Sequence, residues 1–214
     1  MSGSEGPPSF EPGSDPDPDA DTDADRAMDR PEWDDEYLDR VAERLMYSYD
    51  LERDASVRGQ RFTLRGRLLV ESHKQFFHPG LSYARQDARE HLFVRRGERP
   101  TVAEVDRLVE LGHDLAEAWI DADEEHRSTD FTFVVVAEEL PDAVRERVAG
   151  FRDRTLLKYG YYGHYEVNVV VVAPETEAYA ASQEADVWRA FAPWAEETPD
   201  GTPGLFERLR GLLR

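Results

Sequence analysis

The sequence predicts an α+β fold: one mixed sheet in which an antiparallel meander is followed by a parallel βαβ unit, packed with helices. Three observations predict it. Residues 61–72 alternate apolar and charged side chains, as a half-exposed strand does. Phe131–Ala137 and Val167–Ala173 are apolar at every position except Thr132 and Asn168, the pattern of strands covered on both faces. Helical periodicity separates these two runs, which favours a right-handed parallel crossover. The element order is α-β-β(β)-α-β-α-β, followed by C-terminal helices.

Pro31, Glu32, Asp34, Asp35 and Glu36 supply helix-start signals. Trp33, Tyr37, Val41, Leu45 and Tyr49 then recur every four residues, so an amphipathic helix is expected over 31–49. In the first strand Phe62, Leu64, Gly66, Leu68 and Val70 are placed on one face, and Arg61, Thr63, Arg65 and Arg67 on the other. His78-Pro79-Gly80 signals a turn. Short strands are expected near 81–85 and at 90–96. Thr101 and Glu104 form a capping box opening the next helix, whose buried stripe is Val105, Leu108, Val109, Leu115, Trp119 and Ile120. His126 is placed at the acidic end of that helix. Residues 141–153 form the crossover helix. Beyond Pro174 a helix is expected near 177–192.

The domain plan follows from composition. Residues 1–30 are rich in Asp, Pro, Gly and Ser and are expected to be a disordered acidic tail. Residues 31–176 form a single α+β domain. Residues 177–197 are an aromatic-rich helical extension, 198–204 a linker, and 205–214 a short basic amphipathic helix.

The 214-residue chain holds 46 acids against 26 basic residues, a net charge of -20. Only Lys74 and Lys158 are lysine. Residues 1–30 contribute -7 of that charge, so the body carries the rest. Such charge repels itself in dilute buffer and is screened in molar salt. Arginine, less hydrated than lysine, pairs carboxylates well. The composition therefore points to a halophilic, cytoplasmic protein with an acidic proteome around it. Without cysteine there are no disulfides or thiolate ligands. No apolar run is long enough for a transmembrane helix. Nucleic acid is not an expected partner, because binding by counterion release weakens steeply with salt.

The stretches PEWDDEYLDRVAERLMYSYDLERD, QFFHPGLSYA, EHLFVRR, LGHDLAEAWIDADEEH, TDFTFVVV and YGYYGHYEVNVVVVAPE resemble those of a family of uncharacterised haloarchaeal proteins, a domain of unknown function. The resemblance covers about 31–176. It implies one domain in a salt-rich cytoplasm and carries no catalytic residue with it.

Chemistry-bearing residues are few. Glu71, His73, Lys74 and His78 form a candidate catalytic cluster around a strand end and turn. His73, His78 and His164 are candidate metal ligands, although no HExxH or HxxxH spacing brings them together. Tyr161, Tyr162 and His164, in the loop YGYYGHYE, are candidate ligand contacts, as are Arg61, Arg65 and Arg67 on the strand face. His113 and His126 are expected to be structural or solvated. No cofactor motif is present. The sequence leaves two readings: a binding or interaction module, or a small enzyme or metal- or ligand-binding protein using Glu71, His73, Lys74 and His78. The module would dimerise or dock a protein partner through the arginine-rich strand face, with Arg95 and Arg96 beside it, or through the C-terminal helix.

Overall fold

Two apolar runs set the centre of the sheet. The structure, a computed structural model, describes residues 31–74 and 84–195. The run TDFTFVVVA belongs to β4 (His126–Ala137), and EVNVVVVA belongs to β6 (His164–Ala173). These strands pair in parallel, with Phe133 opposite Val169 and Val134 opposite Val170. Before them come β1 (Asp50–Val57), β2 (Gln60–Lys74) and β3 (Ala84–Gly97), an antiparallel meander as expected. β3 then pairs with β4 in parallel. Beyond β6 the edge is divided. β5 (Arg154–Leu156) pairs with its start and β7 (Ala178–Ala181) with its end, both antiparallel. The result is one mixed seven-stranded sheet of α+β class.

Helices cover both faces. α2 (Val102–Trp119) and α3 (Asp142–Ala149) bury Leu108, Leu115, Val144 and Val148 against Phe93, Phe133 and Val169. α1 (Glu36–Leu45) and α4 (Trp188–Phe191) bury Leu38, Val41 and Phe191 against Leu64, Val94, Val134 and Val170. The Tyr37 hydroxyl donates to the Phe191 carbonyl, tying α1 to α4.

The capping box of α2 is present: Thr101 Oγ1 accepts from Glu104 N, and Glu104 Oε2 accepts from Thr101 N. Gly112 lets this helix lie close to the sheet. A Cβ there would stand 2.6 Å from Val167 Cγ1. Gly112→Ala is therefore expected to lower stability by about 2–3 kcal/mol despite alanine's better helix propensity, which a thermal melt in molar salt measures.

Several expectations need correction. α1 starts at Glu36, not near Pro31, because Asp35 is its N-cap and accepts from the amides of Tyr37 and Leu38. It ends at Leu45, and Tyr49 lies outside it. Phe62 and Leu64 do not share a face. Phe62 packs on Phe93 and Phe133 in the α2 layer, while Leu64 packs in the α1 layer. Pairing with β3 stops at Leu64, so the end of the β1–β2 hairpin turns over onto the α2 side. His126 does not end a helix; it opens β4. The helix expected over 177–192 is β7 followed by the single turn of α4. An open edge on the second half of β6 outweighs the helix propensity of that alanine-rich segment, pairing Val171 with Ala180. The expected tail 1–30, the turn His78-Pro79-Gly80, the linker 198–204 and the helix 205–214 lie outside the described residues.

Candidate functional site

Register turns three distant acids into one row. Glu90 of β3 pairs with Asp130 of β4, and Asp130 pairs with Glu166 of β6. Arg154 of β5 stands opposite Glu166 at the end of the row. Residues two apart share a face of a strand, and Val94, Val134 and Val170, four further on, pack under α1 and α4. The carboxylates therefore lie on the α1/α4 face, towards the amino ends of β4 and β6. The intervening row is Leu92, Thr132 and Asn168. Asn168 Oδ1 accepts from the Ser182 hydroxyl at 3.0 Å.

The row is enclosed from two sides. Tyr49, four residues beyond the end of α1, lies beside Glu90, near enough for each to shift the ionisation of the other. It also packs on Gly66, where a Cβ would stand 3.0 Å from its ring. On the other side the segment before α4 brings Glu184 and Asp186 near enough to act electrostatically on Asp130 and Glu90. Glu184 is paired with Arg152 at 3.1 Å and Asp186 with Arg189 at 2.8 Å.

These neighbours separate the acids by protonation state. Burial pushes Asp130 up to about 8, the negative charges of Glu166 and Glu90 add to that, and Arg154 opposes it. Burial also raises Glu90; Tyr49 works against the rise and Asp186 with it. Burial alone would raise Glu166 too, but hydrogen bonds and charge from His164 and Arg154 hold it below the ordinary glutamate value. Glu166 is 4% exposed, ion-paired to Arg154, with His164 Nε2 at 3.4 Å. Near neutrality the centre thus sets a protonated aspartic acid beside an ionised glutamate. Two carboxyl groups driven apart in this way are suited to general acid and general base roles. Asp130 Oδ1 is buried and finds no hydrogen-bond partner among the described residues. A buried carboxyl oxygen without a partner costs free energy that a bound polar group would recover.

The sequence candidates are placed differently. His164 joins this row through Glu166. Glu71, His73 and Lys74 lie in the far part of β2, where only the backbone is described, and His78 lies outside the described residues. No three histidine, aspartate or glutamate side chains among the described residues stand close enough to hold a metal ion. Tyr161 is exposed and Tyr162 half-buried. Arg61 and Arg67 are exposed, but Arg65 is drawn onto the α2 side, 5.3 Å from the Trp119 ring. Beneath Trp119 also lies His91, held down to about 4 by burial and by the charges of Arg65, Arg67 and Arg89. His113 bridges the Tyr165 hydroxyl and Asp153, fastening α2 to β6. His126 is buried; its Nδ1 donates to the Tyr162 carbonyl and its Nε2 accepts from Thr129.

Sequence reasoning missed Glu90, Asp130 and Glu166. A signal was present: EHLFV, DFTFV and EVNVV each place an acid four residues before a valine. Register stacks the three acids, and likewise Val94, Val134 and Val170.

No helix among the described residues is long and apolar enough to cross a membrane. Searches of curated proteins and of solved structures return no match. A family model does match, over residues 34–193, and that span runs past the expected boundary at 176 to include β7 and α4. With all seven strands and all four described helices inside the match, the chain belongs to the family described as Domain of unknown function (DUF8052).

Proposed function

We propose that the chain is a small enzyme whose centre is the Glu90–Asp130–Glu166 row, performing acid–base chemistry on a small, polar, uncharged substrate. The observation that carries this is geometric: Asp130 and Glu166 are in-register neighbours, Asp130 Oδ1 buried without a hydrogen-bond partner among the described residues and Glu166 ion-paired to Arg154, and burial and charge push the two acids in opposite directions. Asp130 donates a proton to a leaving or developing oxygen, and Glu166 accepts one from water or from the substrate. Arg154 and His164 keep Glu166 ionised. Tyr49 lies beside Glu90. Anionic substrates are disfavoured by the acids around the row.

Carboxyl-carbon NMR in molar salt tests the reading directly. Asp130 is expected to titrate near 8 and Glu166 below the usual glutamate range. A panel of glycoside, ester and amide substrates should then give a bell-shaped pH profile. Its acid limb follows Glu166, its alkaline limb follows Asp130, and Asp130→Asn and Glu166→Gln each abolish turnover. Titration of Asp130 near 4, or activity surviving both substitutions, overturns the assignment.

The same inference places the enzyme in a haloarchaeal, salt-rich cytoplasm. The support is a charge of -20 with two lysines. Lowering salt from molar to about 0.1 M lengthens screening from about 3 Å to about 10 Å, so ellipticity and soluble monomer should both fall. A Tm unchanged across that range contradicts the salt adaptation.

A second reading, an interaction module or homodimer, is favoured by the turn between β5 and β6. Tyr159 is 97% exposed and Tyr161 87% exposed there, with Leu156 beside them. Two aromatic rings held in water offer an apolar contact patch to a partner. Sedimentation in molar salt decides it: replacing Tyr159 and Tyr161 together by serine should dissociate any dimer that the wild type forms.

A further inference from the structure

The opposite end of the sheet carries a different kind of site. β3 and β4 are parallel, and their carboxyl ends meet the start of α2, the place where open α/β sheets bind ligands. A cleft of about 400 Å³ opens there, lined by Arg61, Thr63, Arg95, Arg96, Arg99 and Val135 and by the two acids Glu98 and Glu104, with Gly97 and Pro100 completing it. Its size is that of a small-molecule pocket. In a chain of net charge -20, four arginines and two glutamates line this one cleft.

We propose that this cleft binds a compact oxyanion, inorganic phosphate or the phosphate group of a small molecule. Arginine forks match phosphate oxygens two at a time. The arginines differ in how far their charge is already answered. Arg96 is ion-paired with Asp35, and Arg99 meets Glu139 at 3.0 Å. Arg95 reaches Glu104 only at 3.8 Å, and Glu104 is also engaged by the capping box. Arg61 is exposed and has no acidic partner among the described residues. Burial weakens the charged form of Arg95, Glu104 restores part of it, and Arg107 works against it. A guanidinium in that position gains from a further negative charge in the cleft. The first turn of α2 adds the positive end of its dipole. Thr63 supplies a hydroxyl. The overhang of the β1–β2 hairpin, which carries Arg61 and Thr63 past the last β2–β3 pair, forms one wall.

The experiment is calorimetric titration of the full chain with inorganic phosphate, at constant ionic strength set by chloride, with malonate as a second arm. Saturable one-to-one phosphate binding is expected. Arg95→Gln should weaken it tenfold or more, and Arg61→Ala about threefold or more. Arg58→Ala, outside the cleft, should leave it unchanged. Arg61 is exposed, so its variant keeps the test valid if Arg95→Gln loses its fold by circular dichroism. Absence of saturable phosphate binding, binding unchanged in Arg61→Ala, or saturable malonate binding without phosphate binding would each overturn the assignment.

Discussion

Asp130→Asn is expected to make the protein more stable at pH 8 while abolishing the proposed chemistry. The sign follows from linkage. The folded state holds the Asp130 proton up to about pH 8, whereas the unfolded chain releases it near the ordinary 3.8. Between those values the native state binds more protons, so its stability falls as pH rises and levels off above about 8. A displacement that large corresponds to an upper bound of ~6 kcal/mol. Partial exposure and screening by salt bring the expected gain on removing the acid to about 2 kcal/mol. For a domain of this size that is about 4–8 °C in Tm. Asparagine keeps the shape and carries no charge beside Glu166 and Glu90. His91 does not obscure the effect. Its folded value of about 4 makes stability rise with pH between about 4 and 6.5, the opposite sign and a lower window. Melts of wild type and variant from pH 6.5 to 9 should therefore diverge, with the wild type falling relative to the variant. Parallel curves would mean that Asp130 is not protonated in the fold.

The neighbouring substitution should have the opposite sign. Glu166→Gln removes the carboxylate that answers Arg154 and His164, leaving Arg154 without its partner. A loss of about 1–3 kcal/mol is expected at neutral pH. Two in-register acids on adjacent strands thus differ in the sign of their contribution, and only the environment distinguishes them. Under the proposed function, the stability that Asp130 costs is the cost of holding an acid ready for a ligand.

How far this was legible depends on the range of the information. The capping box of α2 is local, involving residues three apart, and was readable from Thr101 and Glu104. The β4 and β6 strands were readable because they are covered on both faces and so are apolar throughout. β1 was not. DLERDASV is an edge strand with an exposed charged surface, and Asp54 takes a left-handed conformation inside it, φ 51°. β7 was lost to helix propensity, which gives no hint that β6 leaves half an edge open. The carboxylate row needed register, and register between parallel strands is fixed by a crossover helix, not by neighbouring residues. The recurring acid–valine spacing was the available signal, and it becomes interpretable only once three strands are known to be adjacent.

Gly163→Ala is expected to be the most damaging single substitution in the turn before β6. Gly163 has φ +71°, a left-handed conformation that a side chain adopts at a cost of about 1 kcal/mol. The larger obstacle is space: a Cβ there would lie 1.9 Å from the Arg127 carbonyl oxygen. That atom belongs to the main chain of β4, so no side-chain rotation relieves the overlap. The turn and the start of β6 would have to move away from β4, breaking the pairing of Ser128 with His164. The bond from the Leu157 amide to the Gly163 carbonyl, 3.0 Å, would be strained with it. A loss of about 4 kcal/mol or more follows. Gly160 is the internal control. It also has positive φ, +90°, but an added Cβ meets nothing within 4 Å. Gly160→Ala should therefore cost only the conformational term, about 1 kcal/mol. The comparison also reaches the site, because His164 follows Gly163 directly and Glu166 lies two residues beyond. In Gly163→Ala the Glu166 carboxyl resonance should move towards an ordinary glutamate value as Arg154 and His164 lose alignment, whereas in Gly160→Ala it should stay where it is. Equal melts for the two variants would mean that the close approach of Gly163 to β4 does not hold the amino end of β6 in place.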